Sequence, residues 1–235
     1  FENTKYTVKD QAGNDYPNWG LTIPVNVVNY PVHERESSPV NVEFTTDNNF
    51  LVVSQWGARK NLDNTIKWFV ETFKDDPTAG LVLKTNTAND SIVDKYHTSA
   101  RLNNLLGQYE DKKCKVYLIH GDLSPTELTW LYRHPTMKAV GVDYDLKPVQ
   151  KEAVWPGVIQ EDSMWAFARE ASYKRGLKEV LEKEKHNKQV AVALQKHILE
   201  TFTAEKMYEQ FISNIYNPSD EEVEWMSSLG EIEIL

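Results

Sequence analysis

The apolar positions of the chain change period repeatedly, from short continuous runs to helical spacing. Short apolar runs bounded by polar residues are typical of buried strands, and apolar residues spaced three and four apart are typical of amphipathic helices. The predicted strands cover residues 50–54, 81–84, 115–119 and 137–142, and the predicted helices between them cover residues 62–74, 91–109 and 124–133. Strands that alternate with helices form parallel sheets, so the pattern predicts an α/β fold.

The last third of the chain is predicted to be helical. Helices are expected over residues 172–184, 188–200 and 203–216, after an irregular stretch at residues 143–170. The last helix carries a stripe of apolar side chains, Met207, Tyr208, Phe211, Ile212 and Ile215. A helix gains most of its stability by packing such a face, so we expect the stripe to belong to the core.

The first residues of the chain do not follow the alternating pattern. Residues 21–32 contain a valine-rich run that predicts a strand, and residues 33–49, rich in Ser, Pro, Glu and Asn, predict a linker. Two interpretations of residues 1–32 stay open. They are either the end of a preceding domain or an edge hairpin of a single domain.

The stretch at residues 50–61 combines a strand, a turn and a helix start with two cations. Gly57 is expected to give the turn its conformational freedom, and Asn61 is a candidate N-cap of the following helix. Arg59 and Lys60 stand beside the free N–H groups of that helix start, a combination that favours a phosphate. The alternative is an ordinary loop with two solvated cations.

The ends of the predicted strands bring distant residues together. Ligands of a parallel sheet bind outside the carboxyl ends of its strands. These ends carry residues 54–60, 84–86 and 120–123, which we therefore expect to converge on one site.

Composition and charge exclude several functions. The 235 residues have a net charge of −9, much of it in the acidic tail at residues 217–235, so we expect no nucleic-acid partner. No apolar run is long enough for a transmembrane helix, and we expect a cytoplasmic protein. The histidines have no metal-ligand spacing, and Cys114 is the only cysteine, so no metal site is predicted.

Several of these segments resemble one protein family in the family's order. Ser54–Asn61 (SQWGARKN), residues 81–84 (LVLK), residues 116–128 (VYLIHGDLSPTEL) and residues 131–135 (LYRHP) resemble the C-terminal domain of GT-B-fold glycosyltransferases, the group often called "glycosyl transferases group 1". The resemblance implies a Rossmann-like donor-binding domain at residues 50–200 and a helix at residues 201–216 that crosses to the other domain. Residues 1–32 would then be a remnant of that N-terminal domain.

The resemblance also implies an activity, the transfer of a sugar from a nucleotide-diphosphate donor. Arg59 and Lys60 would be the catalytic residues, because they would hold the diphosphate as it leaves. The implied donor-binding residues are Ser54, Gly57, Lys84, Gly121, Asp122 and Leu123. Lys84 alternatively fits a solvated lysine at a strand end. The family often works without a metal or other cofactor, and the acceptor (a glycan, lipid or protein) is not implied.

One part of the family pattern is missing. The family has a glycine-rich segment with a glutamate after the strand that ends near Ala139, and a second glutamate on the next helix. Here Val140 leads directly into Gly141-Val142-Asp143. Either a segment of about one βαβ unit, ~30 residues, is missing between Val140 and Asp143, which we favour, or the chain is a catalytically inactive binding or assembly module.

Overall fold

The computed structural model describes residues 6–9, 12–19, 25–215, 221–222 and 224–225. Its strands are β1 (Tyr6–Lys9), β2 (Asp15–Trp19), β3 (Asn48–Val53), β4 (Ala79–Thr85), β5 (Lys115–His120), β6 (Met137–Lys138), β7 (Tyr144–Pro148) and β8 (Met164–Ala168). Its helices are α1 (Leu62–Phe73), α2 (Ile92–Leu106), α3 (Pro125–Arg133), α4 (Glu170–Glu182), α5 (Glu184–Thr201) and α6 (Ala204–Ile215). The predicted α/β class is confirmed.

The centre of the fold is a parallel sheet with the strand order β5-β4-β3-β6. Its central strands are apolar on both faces because helices cover both sides. Phe50, Leu81 and Leu83 face one side, where they pack with α1, α2 and α4. Val82 and Ile119 face the other side, where they pack with Leu131 of α3 and residues from segment 42–44. This arrangement is Rossmann-like, as predicted.

The chain divides into two compact units. One is Arg35–Ala191, which contains the parallel sheet. The other comprises the described residues of Phe1–Glu34 and Val192–Leu235, including the antiparallel hairpin of β1 and β2 and the helix α6.

The predicted strand at residues 21–32 is wrong over residues 25–32, which form neither helix nor strand. The reason is the direction of their backbone hydrogen bonds. Val32 N donates to Phe202 O, in the connection between α5 and α6, at 2.8 Å, and Val27 O accepts from Nε2 of Gln210 of α6 at 3.3 Å, so neither group pairs with a strand. Residues 21–24 lie outside the described residues.

The irregular stretch predicted at residues 143–170 contains an antiparallel hairpin, β7 with β8. Trp165 and Phe167 are partly buried between exposed neighbours, an alternation of period two that indicates a strand. Pro148 at the end of β7, and Pro156 and Gly157 in the connection, hid this alternation. The predicted strand at residues 137–142 is also shorter than expected, because β6 pairs with β3 through only two residue pairs.

The apolar stripe of α6 is not a core stripe. Met207 is 7% exposed, but Tyr208, Phe211, Ile212 and Ile215 are each more than half exposed. Of the predicted acidic tail, residues 221–222 and 224–225 are helical, and the others lie outside the described residues. The periodicity therefore identified the helix correctly but not what surrounds it.

Candidate functional site

The strands β3, β4 and β5 end at the same edge of the sheet. Val53 lies beside Lys84 in the register, and Thr85 lies beside His120. Ser54 N donates to Lys84 O at 3.1 Å, so the chain stays attached to β4 as it leaves β3. The three loops expected to converge therefore begin at one carboxyl edge, where parallel sheets bind their ligands.

Arg59 and Lys60 lie in a one-turn 3-10 helix, Ala58–Lys60, between β3 and α1. Lys60 N donates to Gly57 O at 3.0 Å and closes this turn. Both side chains are exposed, and neither forms an ion pair or a side-chain hydrogen bond with any residue that the structure describes. Two adjacent positive charges are therefore available to an anion.

The helix α1 begins directly after these cations with free N–H groups. Asn61 occupies the predicted N-cap position, but its Oδ1 accepts from Nδ2 of Asn64 at 2.8 Å and no capping hydrogen bond forms. Thr65 N is the first amide of the helix to find an acceptor, Asn61 O, at 3.1 Å. The N–H groups of Leu62, Asp63 and Asn64 have no partner among the described residues. Free amides at a helix start favour an anion.

The carboxylate of Asp63 would repel an anion at this point if it had no partner. It accepts a hydrogen bond from Nε1 of Trp56 at 2.7 Å and two from Nη2 of Arg101, at 2.9 and 3.0 Å. The guanidinium of Arg101 also lies 4.7 Å from the ring centroid of Trp56, a cation–π contact. Arg101 therefore neutralises Asp63 and fixes the loop after β3 to α2.

The remaining predicted donor-binding residues after β3 and β4 differ in the groups that they could present to a ligand. The Oγ of Ser54 is buried and has no hydrogen-bond partner in the described part of the chain. Lys84 is half-buried, and its ammonium forms no ion pair with a described residue. Gly57 has a φ of −111°, which any residue can adopt, so the expectation that this turn needs glycine is wrong. An added Cβ at Gly57 would meet nothing within 4 Å, so its surroundings are open.

The loop after β5 contains the other three predicted residues. Gly121 has a φ of +87°, a left-handed conformation that favours glycine. Asp122 is exposed, whereas Leu123 is half-buried and packs against the cluster that contains Leu131. Its apolar side chain has no hydrogen-bonding group, so a polar contact with a ligand would come from its backbone. The N-terminus of α3 is also capped, because Ser124 and Glu127 form the predicted capping box.

Sequence reasoning missed a buried carboxylate–imidazole pair at this edge. Oδ2 of Asp94 lies 2.8 Å from Nε2 of His120, and both side chains are less than a tenth exposed. Asp94 also accepts hydrogen bonds from the N–H groups of Thr87 and Ala88, each at 3.0 Å. The hydrogen bond with His120 is the largest cause that lowers the pKa of Asp94, and the two amides lower this pKa further. Since the ionised carboxylate cannot donate, Nε2 of His120 carries the proton.

This pair positions the loop between β4 and α2, and that loop in turn supports the cationic loop. Gln55 Nε2 donates to Thr87 O at 3.0 Å, and Trp56 N donates to Asn86 O at 2.8 Å. A continuous set of hydrogen bonds therefore runs from the end of β5 to the residues just before Arg59. The only local signal in the sequence was Ser91, which caps α2 three residues before Asp94.

The end of β6 lacks the carboxylates of the resembled family. The chain passes from β6 through residues 139–143 into β7, without a helix. Asp143 forms an ion pair with Arg175 at 3.3 Å, and Asp145 forms one with Arg169. Both carboxylates are thus paired with arginines, and Asp145 lies in β7.

Within the described residues, no group of three or more His, Cys, Asp and Glu side chains could hold a metal ion. No helix in the described residues combines the length and the apolar character that crossing a bilayer would demand. Comparison of the chain with protein-family models, with curated proteins and with solved structures finds no match.

Proposed function

We propose that this chain is the donor-binding part of a GT-B glycosyltransferase, which transfers a sugar from a nucleotide-diphosphate donor to an acceptor. The observation that carries the proposal is the pair of unpartnered cations, Arg59 and Lys60, beside the open N-terminus of α1. Lys84 and the buried hydroxyl of Ser54 supply further donors at the same sheet edge. An anionic diphosphate matches this set of donors in charge and in hydrogen-bonding capacity.

The same groups account for the chemistry of sugar transfer. When the bond between the sugar and the diphosphate breaks, negative charge accumulates on the leaving diphosphate. Arg59 and Lys60 hold this charge more tightly in the transition state than in the ground state, which lowers the barrier. Gly121 and Asp122 would lie beside the nucleoside, where the carboxylate of Asp122 can accept a hydrogen bond.

A second candidate function is a binding or assembly module without turnover. It is favoured by the short passage from β6 to β7, which brings no free carboxylate to the sheet edge. Both candidates bind a nucleotide diphosphate, and only the enzyme releases it from a nucleotide sugar.

Calorimetric titration with uridine, guanosine, adenosine, cytidine and thymidine diphosphates tests the shared part. Arg59→Ala or Lys60→Ala should weaken binding by about 1–3 kcal/mol, which is about 5- to 150-fold in Kd, because each removes a charge-assisted hydrogen bond. Arg133→Ala is the matched control. Arg133 is also an exposed cation, but it is the last residue of α3, and the carboxyl edge of the sheet lies at the start of that helix. Unchanged affinity in both site variants would end the proposal. Release of the nucleoside diphosphate from a nucleotide sugar distinguishes the two candidates, because only the enzyme would produce it.

A further inference from the structure

The unit that contains α6 has a surface cavity of about 580 Å³ between that helix and the segment at residues 25–31, which forms neither helix nor strand. Two hydrogen bonds hold the segment in place, one from Val32 N to Phe202 O and one from the side-chain Nε2 of Gln210 to Val27 O. Met207, which is 7% exposed, anchors the helix beneath the cavity. The volume lies in the range of small-molecule binding sites.

Three aromatic rings line this cavity and are more than half exposed, so they contribute little to the packing of the core. Tyr30 is 93% exposed, Tyr208 is 56% exposed and Phe211 is 54% exposed. None of the three is paired with another aromatic ring among the described residues. Their faces are therefore open to a ligand, although exposing such rings to water is unfavourable.

The polar groups of the cavity are neutral. Asn26 and Asn29 contribute side-chain amides, and Tyr30 and Tyr208 contribute hydroxyls. None of these groups has a hydrogen-bond partner among the described residues. No Asp, Glu, Lys, Arg or His is among the described residues that line the cavity. A charged ligand would thus lose its hydration without gaining a counter-charge, so the surface favours a neutral ligand.

From this combination we infer that the cavity binds a neutral saccharide. A sugar ring has an apolar face of C–H groups that fits an aromatic ring, and hydroxyls around its edge that match amides and phenolic hydroxyls. Each asparagine amide can donate and accept, as paired sugar hydroxyls require. The inference does not use Arg59 or Lys60 and goes beyond nucleotide binding.

Saturation-transfer NMR on the full 235-residue chain tests the inference with maltotriose, cellotriose, mannotriose and chitotriose as probes. At least one trisaccharide should receive saturation at concentrations up to about 10 mM. Tyr208→Ala and Phe211→Ala should each weaken the binding of that trisaccharide by about tenfold. Ile212→Ala is the matched control, because Ile212 is exposed on α6 but does not line the cavity. The control variant should bind as the unchanged protein does.

Three results would overturn the inference. They are no saturation of any probe, binding by the Tyr208→Ala and Phe211→Ala variants that is as strong as that of the unchanged protein, or a loss in Ile212→Ala as large as in those two variants. Sedimentation provides a further check, because a dimer that Phe211→Ala dissociates would show that a second copy of the chain covers the surface. Titration of Tyr208→Ala with nucleotide diphosphates should give unchanged affinity, so failure of this inference is distinguishable from failure of the proposed function.

Discussion

Gly80 lies in β4 directly opposite Asn49 of β3, where a side chain has no room. A methyl group at Gly80 would lie 3.0 Å from Cε2 of Tyr117, and still closer to Oδ1 of Asn49 and Oγ1 of Thr46. Asn49 and Thr46 are 0% and 3% exposed and joined by a 2.6 Å hydrogen bond. Gly80→Ala must therefore displace buried polar groups, not the end of a flexible side chain.

Two costs determine how far this substitution destabilises the protein. Forcing a methyl group into a packed core costs about 1–3 kcal/mol. Moving Asn49 breaks its bond with Thr46 and strains those that its Nδ2 donates to Thr46 O and Thr136 Oγ1, at 2.9 and 2.8 Å. A buried polar atom left without a partner costs about another 1–3 kcal/mol. The free energy of unfolding should thus fall by about 2–6 kcal/mol, a large part of the roughly 5–15 kcal/mol of a typical protein.

Urea unfolding followed by circular dichroism measures the effect as a lower midpoint. Gly107→Ala is the matched control, since it adds the same methyl group where φ is −58° and nothing lies within 4 Å. The control should change stability by less than about 1 kcal/mol, in the stabilising direction. If Gly80→Ala and Gly107→Ala unfold at the same urea concentration, the close approach of β4 to Asn49 is wrong.

Two further predictions concern titratable groups. The pKa of Asp94 is lowered below its ordinary value of 3.8, so its contribution to stability is complete above that pH and is lost as the pH falls through the lowered pKa. His120→Ala removes the largest cause of the lowered pKa of Asp94, so the variant should unfold at higher pH in an acid titration followed by circular dichroism. The control variant, His186→Ala at an exposed position of α5, should leave the pH of acid unfolding unchanged. Burial raises the pKa of the Cys114 thiol, which is 3% exposed, so Ellman's reagent should react slowly with the native protein and rapidly in guanidinium. Rapid reaction of the native protein would contradict that burial.

The parts of the fold that sequence could predict are those determined by neighbours along the chain. The apolar runs located β3, β4 and β5 to within two residues at each end. Ser124 and Glu127 marked the start of α3 because both partners of a capping box lie within one helical turn. The pair of Asp94 and His120 gave no such signal, since its members lie 26 residues apart and meet only when β4 and β5 align.

For the predicted site, too, sequence indicates the features that neighbouring residues determine and misses those that depend on residues distant in the chain. Arg59 and Lys60 could be singled out because a strand, a turn and a helix start follow one another in sequence. Their availability could not be predicted, because it depends on Arg101 of α2 neutralising the nearby Asp63. Leu123 was assigned to the site on its position in a motif, but its half-buried side chain packs against the apolar cluster that contains Leu131 of α3.

Helices α1 and α6 show why an amphipathic pattern does not decide between core and binding surface. Both carry apolar residues at the same spacing. In α1 these residues are covered, because Phe69 and Phe73 pack against Phe50 of the sheet. In α6 only Met207 is buried, and the neighbouring segment at residues 25–31 is too narrow to cover the rest of the stripe. The pattern thus defines a face, and the element packed against it decides whether that face stabilises the fold or remains open to a ligand.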